Sequence, residues 1–180
     1  MDIYAQNGVT PLPLLKTARL ELRPVALSDA EAIVEKLNDF EVSKWLTVVP
    51  YPYTRDDALW FIEENLIGRA ESWSVYEGDT LIGNVGGGSE IGYWLVPEVW
   101  GRGYATEIGQ LVVDYLFSDP VRNDLASAHF VDNIGSQKVL EKLGFVDVGG
   151  HVHHSVARGE DVAGRMMLLT RDCWTKLRDA

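Results

Sequence analysis

A mixed α/β or α+β domain is the fold this sequence predicts, and three observations predict it. Runs of alternating apolar and polar residues flank a Gly78-Asp79 turn, the pattern of an antiparallel hairpin. A strand over Glu90 to Val96 leads through a glycine-rich turn into an amphipathic helix. A strand–helix–strand run follows, so neighbouring strands come first and helical connections second.

Taken in order, residues 1–16 contain prolines and little pattern, and read as a partly ordered arm ahead of one domain over 17–180. Leu20 and Leu22 alternate with Arg19, Glu21 and Arg23 in a strand stopped by Pro24. Ser28 with Glu31 reads as a capping box opening a helix that carries Ala32, Ile33 and Leu37. Glu41 to Leu46 is a short helical turn, and Thr54 with Asp57 starts the next helix, with Leu59, Phe61, Ile62 and Leu66 for its apolar side. Ser72 to Glu77 and Thr80 to Val85 form the hairpin, and Gly86-Gly87-Gly88 turns the chain toward Glu90 to Val96, which Pro97 ends. Ala105 to Phe117 is a helix with Ile108, Leu111, Val112 and Leu116 on one face. Leu125 to Phe130 is a strand, Gly135 to Leu143 a helix ended by Gly144, and Phe145 to Val152 and Arg165 to Thr170 are the last strands.

Composition narrows the partners. The 180 residues suffice for one domain with a substantial core. Sixteen basic residues against twenty-seven acidic ones give a net charge of −11, which argues against a sequence-independent grip on nucleic acid. The same field attracts cations, an amine substrate among them, although acidity also simply aids solubility. No apolar run approaches the roughly 20 residues that span a bilayer, so no membrane partner is expected. The opening residues lack the basic and apolar regions of a signal peptide. The single cysteine, Cys173, suits a reducing cytoplasm.

The stretch that carries chemistry is Trp100-Gly-Arg-Gly-Tyr-Ala-Thr106. Gly101 and Gly103 let the backbone bend with its N–H groups inward and let a phosphate approach, while the following helix adds free donors and a positive dipole end. Alone, the two glycines are equally a tight strand-to-helix connection. A second stretch, Asn133-Ile-Gly-Ser136 before Gln-Lys-Val-Leu-Glu-Lys-Leu-Gly-Phe145, makes the pattern specific. Together with Glu-Ile-Gly-Tyr-Trp-Leu at 90–95, these motifs resemble the GNAT superfamily of acetyl-CoA-dependent N-acetyltransferases, over nearly the whole chain. Within it they are similar to the branch that acetylates the N-termini of ribosomal proteins, the RimJ/RimL type, which also holds many small-amine acetyltransferases.

The resemblance implies a central mixed, mostly antiparallel sheet flanked by helices and splayed into a V between Glu90–Val96 and Leu125–Phe130. It implies acetyl-CoA as co-substrate, with pantetheine paired to the backbone of Trp94, Leu95 and Val96. The pyrophosphate would sit on N–H groups of Gly101, Arg102, Gly103, Tyr104, Ala105 and Thr106, and Asn133 and Ser136 would lie beside the cofactor arm. Trp100 stands where the superfamily usually has Gln or Arg, and Leu140 where many members have a tyrosine that serves as the acid. A monomer or homodimer is expected.

An alkylamine, with a pKa near 10, must lose a proton before it attacks. Glu90 is the first candidate base, matching a glutamate so used in several superfamily members; the alternative is a strand-edge carboxylate in solvent or paired with arginine. His151, His153 and His154 are rivals, since histidine titrates near neutrality unaided. Their spacing raises a metal site, but no Cys or acidic residue stands at ligand spacing, and none is expected. Ser136 is the candidate acid, or a hydroxyl that only orders the cofactor. Trp45, Tyr51, Tyr53, Trp60 and Trp73 are available to line an acceptor site. Only six residues separate Gly83 from Glu90, a short connection for this branch that would alter the acceptor wall. A non-catalytic acyl-CoA-binding sensor or scaffold would keep the phosphate turn and lack the base, so Glu90 speaks for an enzyme.

Overall fold

A computed structural model describes residues 9–88 and 90–179; positions 1–8 of the expected arm lie outside the described residues. Strands β1 (Leu15–Lys16), β2 (Glu21–Pro24), β3 (Ser72–Glu77), β4 (Thr80–Gly86) and β5 (Gly92–Leu95) form an antiparallel sheet in that order. A second antiparallel sheet has the order β6-β8-β7, with β6 at Asp124–Phe130, β7 at Val146–Ser155 and β8 at Glu160–Thr170. Among the described residues the two sheets meet at one parallel bridge, Glu90 with Ala126, where the Ile91 N–H donates to the Ala126 carbonyl at 2.8 Å. The buried Ser127 hydroxyl donates back to the Ile91 carbonyl, also at 2.8 Å. The result is the expected mixed, mostly antiparallel sheet with helices on its faces. The strand expected at Glu90 to Val96 is corrected: Glu90 and Ile91 leave the β4 ladder to pair with β6, and only Gly92–Leu95 runs along β4.

Helices α1 (Ala30–Leu37), α2 (Phe40–Ser43) and α3 (Arg55–Leu66) separate β2 from β3. The expected box at the start of α3 is present: the Thr54 N–H reaches Asp57 Oδ2 at 2.8 Å, and the Asp57 N–H reaches Thr54 Oγ1 at 3.2 Å. The expected box at α1 is not. Residues Leu27–Asp29 form a 3₁₀ turn, and Asp29 rather than Ser28 organises the helix start, accepting from the Ala26 N–H at 3.1 Å. Asp29 also accepts from Ser74 Oγ at 2.6 Å and Tyr76 Oη at 2.7 Å, so one buried carboxylate ties the start of α1 to β3. Glu31 is free to pair with Arg55 on the surface.

Helix α4 (Tyr104–Phe117) packs on β4 and β5, and α5 (Ile134–Lys142), which packs against α4, connects β6 to β7. The main core lies between α4 and the strands, built around Leu22, Trp73, Ile91, Ile108, Val112, Leu125, Leu140 and Leu169. Fully burying such side chains is worth about 1.5–3 kcal/mol each. A second cluster, with Ile33, Leu37, Ala58, Ile62 and Leu81, seats α1 and α3 on the first sheet. The last two strands are longer than expected and form one hairpin turning at residues 156–159. A further helix, α6 (Arg171–Arg178), follows, capped by Thr170 Oγ1, which accepts from the Cys173 N–H at 3.3 Å.

Asp29→Ala leaves several donors without their buried acceptor and is expected to destabilise the fold by about 2–4 kcal/mol. Urea unfolding measures this, and an unchanged midpoint contradicts the role given to Asp29.

Candidate functional site

Beyond the Glu90–Ala126 bridge, β5 follows β4 and β6 follows β8, so their facing edges diverge. The gap opens into a cavity of about 920 Å³. One wall is β5, with Tyr93, Trp94 and Leu95, continuing into Trp100, Gly101, Gly103, Tyr104, Ala105 and Thr106. The opposite wall is Ser127 to Phe130 of β6 with Asn133, Ser136, Lys138 and Lys142 of α5. Residues 45–48 form a third side. That loop is pinned from the β7–β8 hairpin: Arg158 Nε donates to the Lys44 carbonyl at 2.8 Å, and its guanidinium lies between the Trp45 and Phe130 rings, 5.0 and 4.9 Å from their centroids.

The turn into α4 has its side chains bonded outward and, Arg102 apart, its backbone donors free of backbone acceptors. Gly101 and Gly103 adopt φ of +75° and +80°, where a side chain is strained, and a Cβ on Gly101 would stand in open space. No side chain caps α4 at Gly103. Among the described residues, the N–H groups of Gly101, Gly103, Tyr104, Ala105 and Thr106 meet no backbone acceptor. Such unpaired donors at the positive end of a helix dipole suit an anion.

On the outer side, Glu77 receives the Tyr104 hydroxyl and the Arg102 guanidinium, the latter at 2.9 Å. These two contacts, with Arg19 near by, hold the Glu77 carboxyl below its usual range. Arg19 donates to the Arg102 carbonyl at 3.2 Å and pairs with Glu107, and the Tyr104 ring lies between the two guanidiniums. Trp100 Nε1 donates to the Leu95 carbonyl at 2.7 Å, tying the turn to β5. Two of the expected backbone positions are engaged within the fold: the Arg102 N–H donates to the Val99 carbonyl at 3.4 Å, its side chain bonding Glu77, and the Val96 N–H donates to the Ile82 carbonyl of β4 at 2.9 Å.

The candidate proton-handling groups face the same space. Glu90 is an exposed residue on the cavity wall. Asn133 caps α5, its Oδ1 accepting from the Ser136 N–H at 3.0 Å. Ser136 Oγ lies 3.0 Å from the Tyr93 hydroxyl, which reaches it from β5 across the divide. Burial pushes the Tyr93 phenol up to about 12 against the opposing effect of Ser136.

His153 and His154 line the cavity, and His154 Nδ1 meets Asp161 at 2.9 Å. His151 stacks edge-on against His153, and burial and that neighbour lower its pKa, with Glu90 opposing. Among the described residues no three His, Cys, Asp or Glu side chains converge as metal ligands.

Sequence reasoning passed over Tyr93, whose alternation with Ile91 and Leu95 reads as core. Of the five aromatics considered for the acceptor site, Trp45 lines the cavity; Trp73 and Tyr53 are core residues, and Tyr51 and Trp60 face solvent.

A family model described as an acetyltransferase (GNAT) domain matches residues 19–146. The uncharacterized N-acetyltransferase p20 of Bacillus licheniformis is 32% identical over 158 residues, covering 81% of this chain and 89% of that protein. Among solved structures, the ribosomal-protein-S5-alanine acetyltransferase of Vibrio fischeri superimposes with a TM-score of 0.74 at 21% identity, over 91% of this chain and 99% of that one. The spermidine N-acetyltransferase of Vibrio cholerae, in complex with CoA and spermine, gives 0.75 at 19%, over 88% and 99%.

Proposed function

The chain belongs to the GNAT family of acetyltransferases, and from that premise we propose that it transfers the acetyl group of acetyl-CoA to a primary amine by direct attack in a ternary complex. The observation that carries this reading is the set of backbone N–H groups at Gly101 and from Gly103 to Thr106, left unpaired where an open, two-walled cavity meets a helix start. Two phosphates linked in series need several donors in a fixed array, and a backbone array retains its geometry without side-chain entropy loss. Pantetheine, with its two amides, suits the free edge of β5 beside Trp94, where the alternation set by the Val96–Ile82 bond turns the Leu95 N–H away from β4. Asn133 and Ser136 flank it from α5.

In this reading Glu90 takes the proton of the attacking amine, directly or through one water. Its exposure keeps it hydrated and suits transfer by water. Ser136 stands as the hydroxyl donor at the leaving sulfur. The acceptor is a protein N-terminal amine or a small-molecule amine. The fold is shared with an enzyme named for each kind of acceptor, a ribosomal protein and spermidine. A branch of the RimJ/RimL type fits the motifs at 90–95 and 133–145, and a net charge of −11 favours either cationic acceptor.

Two outcomes are expected. Gly103→Val forces a branched residue into positive φ, distorts the turn that aims the N–H donors, and should weaken acetyl-CoA binding about tenfold or more. Arg102→Ala, which removes a side chain bonded away from the cavity, should leave affinity nearly unchanged. Calorimetry on both folded variants tests this, and unaltered affinity in Gly103→Val removes the cradle. Glu90→Gln should lower kcat/KM for a genuine acceptor by about 10²–10⁴-fold at neutral pH, with partial rescue as rising pH supplies free amine. Wild-type turnover and pH profile in that variant would pass the role to a histidine or to ordered water.

A further inference from the structure

Tyr93 and Ser136 belong to the two opposite walls of the cavity, yet their hydroxyl oxygens are 3.0 Å apart. Among the described residues neither hydroxyl makes another side-chain hydrogen bond. Burial holds the phenol neutral well above physiological pH, and no charged side chain contributes to that shift. Of the two hydroxyls the phenol is the more acidic, so the favoured arrangement has Tyr93 O–H donating to Ser136 Oγ. A serine hydroxyl otherwise rotates freely. With its oxygen engaged by Tyr93, the remaining Ser136 O–H is restricted to directions away from the phenol, and both residues line the cavity. Its strength as a donor rises because hydrogen bonds in series polarise one another.

We propose that Tyr93 is a positioning residue, fixing the Ser136 O–H so that it donates to the sulfur leaving the thioester. The inference rests on the acetyl-transfer reading above and adds to it a group from β5. In the step concerned the amine nitrogen forms a bond to the carbonyl carbon and yields its proton to Glu90 or water. The carbon–sulfur bond then breaks with its electron pair on sulfur. The Ser136 O–H stabilises that charge as a hydrogen bond; neither hydroxyl gives up its proton for good, and the thiolate is protonated from solvent. A donor aimed where charge develops lowers the barrier without affecting cofactor binding.

The test is a double-mutant cycle on the full-length enzyme, assayed by thiol release from acetyl-CoA with an acceptor amine that the wild type turns over. Tyr93→Phe retains the ring and should lower kcat about ten- to 150-fold, the range set by losing one hydrogen bond that acts on a charge. Acetyl-CoA affinity and thermal midpoint should remain close to wild type. Ser136→Ala should cost at least as much, and adding Tyr93→Phe to it should cost little more, because the phenol then has nothing to orient. Ser136→Thr, which retains a hydroxyl, should recover most of the activity. Wild-type kcat in Tyr93→Phe overturns the proposal, as do independent, multiplicative losses in the double variant. If Tyr93→Phe does not fold, equal activity in Ser136→Ala and Ser136→Thr overturns it as well. Wild-type protein that releases no thiol with any amine defeats the acetyl-transfer reading itself, a result separate from these.

Discussion

The architecture depends on one short parallel contact, the backbone bond from Ile91 to Ala126 with the Ser127 hydroxyl returning to Ile91. It joins two antiparallel sheets at a single point and then lets them part. Within a few residues β5 is committed to β4 and β6 to β8, and the two edges between them have no strand partner. Unpaired edges usually invite unwanted pairing and are covered or charged. Here they are turned inward, walled by α5 and residues 45–48, and become the sides of a cavity. The same contact brings Glu90 to the apex of the V. A wider or a fully zipped junction would lose either the base candidate or the space.

A second constraint acts at the far end of the cavity. The glycine turn is held by Glu77, Arg19 and Trp100, contacts that lie mostly at the surface. Pairs of that kind add little stability, typically about 0–1 kcal/mol each. Their consequence is directional: with the side chains drawn outward, the N–H groups are left as the inner surface. Trp100 explains how an aromatic residue serves at a position where this superfamily usually has Gln or Arg, since its indole N–H closes a bond to the β5 carbonyl of Leu95. Leu140, where many members carry a tyrosine, is fully buried in the main core.

Features set by local chemistry were legible in the sequence. The Thr54–Asp57 box, the Gly78-Asp79 hairpin and the apolar face of α4 depend on residues a few positions apart, and the structure has them. So does the glycine turn, where positive φ requires glycine. Features set by distant partners were not. Asp29, rather than Ser28, takes over the start of α1 because Ser74 and Tyr76, 45 and 47 residues away, anchor its oxygens. Glu90 and Ile91 depart from β5 because β6, more than thirty residues on, offers them a parallel bridge at Ala126. Tyr93 follows a period-2 pattern identical to that of a core residue, and only the docking of α5 brings a hydroxyl to it. The loop at 45–48 becomes a wall because Arg158, over a hundred residues later, grips the Lys44 carbonyl.

The central claim is that a phosphorylated thioester cofactor lies in the split between the sheets and rests its phosphates on backbone donors. Amide hydrogen exchange with and without saturating acetyl-CoA tests it most directly, because it reads those N–H groups one segment at a time. The account predicts slowed exchange at Gly101 to Thr106 and at Leu95, whose N–H faces away from β4, with the β7–β8 hairpin unchanged. Unaltered exchange at Gly101 to Thr106 under saturating cofactor, or protection confined to segments outside the split, would contradict it.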